Sequence, residues 1–208
     1  MVVLQGTLLG AAEPSLAPTP HVDRVDLDSA SWVEVARDFL FGADALLERL
    51  VRDVAWSRGR RRMWDRMVND PRLHRWYRPE DTVPDPLLTE ARRSLCDRYG
   101  IALGGVGLNY YRDGRDSVAF HRDRELRDSS DTIVAILTLG AARPFLVRPS
   151  GGGRSVDFRP GSGDLLVMGG RTQADWEHGV PKVARAGPRI SASWRWSPSF
   201  GGNPPRHV

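Results

Sequence analysis

The chain contains a single cysteine, Cys96, among its 208 residues, so no disulfide framework can form within it, and the composition suits a reducing cytoplasm. It contains a single lysine, Lys182, although lysine and arginine together number 30. Long apolar runs are missing as well. None approaches the roughly 20 residues that a membrane-spanning helix requires. The first residues also lack the basic stretch and following apolar stretch of a secretory signal. The expectation is a cytoplasmic protein with no membrane partner, acting as a monomer. What is present is ordinary for one globular domain: 40% apolar and 27% charged residues. The near-total use of arginine is less ordinary. A guanidinium fork matches phosphate geometry and stacks on flat rings, and a net charge of +4 fits an anionic partner such as nucleic acid. Coding bias in a GC-rich genome produces the same excess, so composition alone leaves both readings open.

Along the chain, residues 1–22 form a Pro- and Ala-rich segment with one predicted short strand at Val2–Leu4. Asp28 or Ser29 is placed to cap a helix over Trp32–Phe39, and a second helix is predicted over Ala43–Val51, with Leu46, Leu47 and Leu50 on one face. A third runs from Leu87 to Tyr99 and stops at Gly100. Cys96 sits in its pattern as a buried structural thiol rather than a nucleophile. Residues 23–100 are thus read as a helical extension. Beyond Gly100 short apolar runs alternate with Gly, Pro and Asp turns, and strands are predicted near 105–111, 118–121, 132–139, 144–148, 155–158, 164–167, 178–182 and 188–195. Helices first and strands later make the class α+β. The β-rich core over 101–198 is a sandwich, jelly roll or barrel, and the whole forms one domain.

His-x-Asp occurs twice, at His21/Asp23 and His121/Asp123. The first lies in the Pro-rich leader. The second follows the apolar run Val118–Phe120, at a predicted strand end, where residues i and i+2 share a face and can reach one ion. His178 opens another predicted strand that can lie beside it and supplies a third ligand. Two histidines and one carboxylate are the donor set of Fe(II) oxygenases; zinc accepts the same set, and three ordinary polar residues would share the pattern. Further on, Arg189 and Arg195 are an even number of residues apart on one alternating strand, with Ile190, Ala192 and Trp194 on its other face. Two arginines turned inward need anions to pair with, and the two carboxylates of 2-oxoglutarate would serve. Turned outward, they would be a solvated face.

The segments LNYYRDGRDSVAFHRDRE, HGVPKV and PRISASWR, taken in order, resemble the AlkB family of 2-oxoglutarate-dependent dioxygenases. Asn109 and Tyr111, the Gly114/Asp116 turn, His121 and Asp123, His178, and Arg189 with Arg195 match the family pattern over roughly residues 105–196. The resemblance implies a double-stranded β-helix, or jelly-roll, core with helices packed outside. It implies Fe(II) held by His121, Asp123 and His178, and 2-oxoglutarate held by Asn109, Tyr111, Arg189 and Arg195. Ser191 stands where many members carry asparagine, and its hydroxyl can still donate one hydrogen bond. Glu125 and Arg148 match substrate-side positions. Before the core, where the family places its base-recognition lid, Trp64, Trp76 and Tyr77 stand beside Arg60–Arg62 and Arg75, a mixture suited to stacking a flipped base and gripping phosphates. The implied activity is oxidative demethylation of N-alkylated bases in DNA or RNA, consuming O₂ and releasing formaldehyde, succinate and CO₂. The same chemistry on tRNA, protein or a small metabolite is the alternative, followed by a nucleic-acid-binding module without catalysis.

Overall fold

The computed structural model describes residues 13–63 and 66–198. Two antiparallel sheets face one another. The larger has eight strands in the order β2-β3-β12-β9-β14-β7-β6-β5: Val22–Asp26, Ser31–Ala36, Leu165–Gly170, Thr132–Gly140, Arg189–Trp196, Val106–Tyr111, Arg66–Tyr77 and Ser57–Met63. The smaller has four, β11-β10-β13-β8: Val156–Asp157, Leu146–Pro149, Trp176–Val180 and Val118–His121. A two-residue pair, β1 (Ser15–Leu16) with β4 (Leu40–Phe41), lies apart. Fold-level expectation and structure agree on a jelly-roll core with helices outside.

Two apolar layers follow from the period-two alternation of the strands. Between the sheets pack Val33, Val35, Val134, Ile136, Phe145, Val147, Leu166 and Met168. On the outer face of the large sheet, Ala135, Leu137, Ile190, Ala192, Trp194 and Trp196 meet Leu46 and Leu50 of α1 (Ala43–Asp53) and Leu88, Ala91 and Leu95 of α2 (Pro86–Tyr99). Helix α2 begins as its sequence dictates. The Asp85 carboxylate accepts from the Leu87 amide, Pro86 needs no partner for a missing N–H, and Gly100 ends the helix at φ 68°. Cys96 packs against this layer, partly buried.

One predicted helix is corrected. Trp32–Phe39 is not helical; Ser31–Ala36 is strand β3, buried at every residue and paired with both β2 and β12. Trp32 and Ala36 face the helical layer while Val33 and Val35 face the small sheet. A strand covered on both sides has no polar face, and its apolar run reads like a buried helix. Glu34, within it, is buried and satisfied: the Tyr99 hydroxyl donates to it at 2.7 Å and Arg98 at 3.3 Å. The extension is therefore less helical than predicted, since β2, β3, β5 and β6 all enter the large sheet. The predicted strand at Val2–Leu4 lies outside the described residues.

Candidate active site

Strands β8 and β13 pair antiparallel with His121 directly opposite His178. This register puts the two imidazoles side by side and tilted at 49°, with ring centroids 4.3 Å apart and Phe145 stacked on His178 at 5.6 Å. Asp123 lies just past the end of β8, and its Oδ1 is 3.7 Å from Nε2 of His121. One ligand atom from each of the three falls within 4.8 Å of the others. Among the described residues this is the only such group of three; His21 and Asp23 contact each other at 3.0 Å on the exposed surface with no third donor.

The protonation pattern suits a cation. The Ala119 carbonyl can only accept, so Nδ1 of His121 donates to it at 3.0 Å and leaves the Nε2 lone pair free. Burial, reinforced by the neighbouring His121, pushes His178 down to about 3, so its ring is neutral at physiological pH. Burial alone would raise Asp123, but the Arg195 guanidinium and the two histidines outweigh it and hold the carboxyl near 2. Two imidazoles, that of His178 neutral, and one carboxylate are a ready donor set for Fe(II).

The triad opens into a cavity of about 440 Å³ between the sheets, lined also by Asn109, Tyr111, Ser191 and Arg195. Register explains the gathering: β14 lies against β7 with Arg189 opposite Tyr111 and Ser191 opposite Asn109. The two arginines differ. Arg195 is already paired, donating from Nε to Asp123 Oδ2 at 2.7 Å and standing 3.6 Å from Glu125. Arg189 is wholly buried behind Tyr111, its Cζ 5.9 Å from that ring's centroid. It gives one hydrogen bond, to Thr138 Oγ1 at 3.1 Å, while its Nε and Nη1 have no partner among the described residues. Burial lowers it to about 10. A buried cation with two idle donors fits an anion that arrives with the cosubstrate.

The expected substrate residues divide. Trp76 of β6 lies at the cavity wall, half-exposed at 50%, with its ring over Gly107, where an added Cβ would stand 3.3 Å from it. Glu125 also lines the cavity. Tyr77, the next residue along β6, turns to the helical layer instead, beneath the Arg75 guanidinium. Arg148 lies off the cavity lining: its Nε donates to Glu177 at 2.6 Å and its Cζ lies 3.7 Å over the Phe120 ring. Trp64 falls outside the described residues. Sequence reading missed Arg72, whose Nε donates to the Asn109 side chain at 2.8 Å from the same β6 face as His74 and Trp76. Its signal was the period-two run Arg72, His74, Trp76, legible only once the segment is known to be a strand. It also missed Gln173 and Arg143, both fully buried polar side chains. Arg143 bonds three backbone carbonyls, of Asp113, Asp116 and Pro181, closing the loops beside both histidine-bearing strands.

Residues 52–201 match the model of the 2OG-Fe(II) oxygenase superfamily. Among curated proteins, the alpha-ketoglutarate-dependent dioxygenase alkB homolog 3 is similar. The Homo sapiens form is 33% identical over 89% of this chain and 70% of its own length, and the Rattus norvegicus form 34% over 83% and 63%. The Mus musculus DNA oxidative demethylase ALKBH2 is 31% identical over 53% of this chain and 50% of its own. This chain thus spans between half and just over two thirds of the length of these three relatives. Among solved structures, a prolyl hydroxylase from Trichoplax adhaerens, in complex with a hypoxia inducible factor peptide fragment, shares the fold. Its TM-score is 0.60 at 14% identity, over 82% of this chain and 87% of that one.

Proposed function

Because the chain belongs to the AlkB family of 2OG-Fe(II) oxygenases, we propose that it is an Fe(II)- and 2-oxoglutarate-dependent dioxygenase that oxidatively removes N-alkyl groups from bases in DNA or RNA. The observation that carries this reading is the His121/Asp123/His178 donor set opening into a cavity lined by Asn109, Tyr111, Ser191 and Arg195, with Arg189 buried behind the Tyr111 ring and its Nε and Nη1 without a partner among the described residues. When bound, iron and 2-oxoglutarate supply the coupling of O₂ reduction to cosubstrate decarboxylation and methyl oxidation.

The chain's own residues do the rest. His121, through Nε2, and His178 and Asp123 would hold the metal without first shedding a proton from His178 or Asp123 at neutral pH. Arg189 would take a cosubstrate carboxylate, with Tyr111, Asn109 and Ser191 beside it. Arg195 keeps the Asp123 carboxylate oriented and adds positive charge on the cosubstrate side of the cavity. Trp76 offers a half-exposed flat ring at the mouth on which a flipped base can stack, and Glu125 an acceptor for the N–H groups of a base edge. Arg72 and Arg75 of β6 line the cavity and Arg58 and Arg60 are exposed on the neighbouring β5, charges that favour a polyanion. Among the described residues no helix is long and apolar enough to cross a membrane.

The test is anaerobic loading with Fe(II) and 2-oxoglutarate, admission of air, and mass spectrometry of an oligonucleotide carrying 1-methyladenine or 3-methylcytosine. Loss of one methyl group, dependent on both iron and 2-oxoglutarate and absent in His121→Ala, is the expected result. Succinate without oligonucleotide repair would move the substrate to a protein, tRNA or metabolite. Full repair by His121→Ala would refute the site.

A further inference from the structure

We infer that the four-residue helix α3, Thr172–Asp175, is a positioning element for the metal ligands, acting through Gln173 and Arg122. The inference rests on the reading of the metal site and names what holds it in shape.

Asp123 has a positional problem. It lies two residues beyond the end of β8, a strand of four residues that, among the described residues, pairs only with β13 and whose register shifts between His178 and Val180. Ladder hydrogen bonds therefore do not set its backbone. Its carboxylate is held by Arg195, but a carboxylate on an unfixed backbone still swings. Helix α3 supplies the missing restraint. It sits between β12 and β13, immediately ahead of the strand that carries His178. From it, the Gln173 side-chain oxygen accepts the Asp123 backbone N–H at 2.9 Å. In return, Arg122 Nη1 donates to the Ala174 carbonyl at 2.7 Å. The two residues after His121 are thus tied at two points to the turn that launches His178, and the two halves of the donor set move as one unit.

The chemistry of Gln173 argues against simple core filling. The side chain is wholly buried, and its amide nitrogen finds only the Met168 sulfur at 4.0 Å, a weak acceptor. An apolar residue would fill the space without burying an underused amide. The oxygen, bonded to the Asp123 amide, is what the site uses.

The experiment titrates Co(II) into the full-length, metal-free protein and reads its d–d absorption, with no turnover involved. Gln173→Leu is expected to weaken Co(II) binding about 10- to 100-fold, the usual cost of losing a partner that orients ligands. Arg122→Ala, at a half-buried side chain, is expected to weaken it less, with a melting temperature close to that of the unsubstituted protein. Gln173→Glu keeps an accepting oxygen and should recover most of the affinity. Should Gln173→Leu fail to fold, Arg122→Ala decides. Unchanged Co(II) affinity in both variants, whatever their melting temperatures, overturns the inference, because a purely structural role moves stability and not the metal. Failure of the unsubstituted protein to bind Co(II) refutes the metal site itself, a separate outcome.

Discussion

Replacing Arg189 with Met should make the metal-free protein no less stable while disabling it. Met has nearly the same reach and no charge. In the folded chain the guanidinium sits wholly buried with two nitrogens unpaired, and burial moves it from 12.5 to about 10. At 1.36 kcal/mol per pKa unit this is on the order of 3 kcal/mol of uncompensated charge that Met would remove. Against it stands the lost bond to Thr138, worth about 1 kcal/mol. The net is stabilisation between about 0 and 3 kcal/mol. In a domain of this size that is a melting temperature unchanged or raised by up to roughly 10 °C. Binding of 2-oxoglutarate should move the other way. Two charge-assisted bonds to a carboxylate contribute about 1.5–3 kcal/mol each, so affinity should fall by roughly a hundred- to ten-thousand-fold. The assay pairs thermal melts of the metal-free protein with calorimetric titration of 2-oxoglutarate into Mn(II)-loaded protein. A variant that loses several kcal/mol of stability yet binds 2-oxoglutarate normally would refute the reasoning, making Arg189 a structural cation.

Three other outcomes follow from the site and its surroundings. Asp123 and His178 are both depressed in the folded state, so the unfolded chain binds more protons as pH falls; stability should decline from about pH 6.5 toward 3, and His178→Ala should flatten that limb in urea melts taken from pH 7 to 4. Trp76→Ala should weaken binding of a methylated oligonucleotide by one stacked base, about 1–3 kcal/mol, leave 2-oxoglutarate affinity alone and barely shift the melt; an unchanged oligonucleotide affinity in a fluorescence anisotropy titration would remove Trp76 from the base site. Gly114→Ala would set a Cβ 2.3 Å from the Val183 carbonyl oxygen, prising apart the loops that Arg143 joins; a loss of about 1–3 kcal/mol is expected in denaturant unfolding.

The catalytic half was legible because its physics is local. Ile190, Ala192 and Trp194 alternate with Arg189, Ser191 and Arg195, so the strand and its two faces could be read together, and β14 has those faces. Helix α2 announced both ends through Asp85–Pro86 and Gly100. Illegible parts fail for identifiable reasons. Ser31–Ala36 carries apolar residues on both faces, so period two never appeared. The β5/β6 hairpin is rich in arginine with few alternating apolar residues, and one of its strands is a sheet edge. Gln173 was invisible because its contact with Asp123 spans 50 positions and no rule of spacing reaches that far. Tyr77 was grouped with the base site by its arginine-rich surroundings and Arg148 by resemblance, whereas strand parity turns Tyr77 toward the helical layer, and Arg148 stands against Phe120 and Glu177.

Among the described residues the eight-stranded sheet ends in two border strands, β2 and β5, each paired on one side. An unpaired ladder is a template on which another molecule can add a strand, and a sheet this wide invites end-to-end stacking of copies. Both borders carry charge against it: Asp23, Arg24 and Asp26 stand exposed on β2, and Arg58 and Arg60 stand exposed on β5. The arginines proposed to draw a polyanion toward the cavity thus also guard solubility. Any redesign that strips them to loosen a nucleic acid should also bare a sticky border, and the resulting loss of activity would come from clumping as much as from weaker grip.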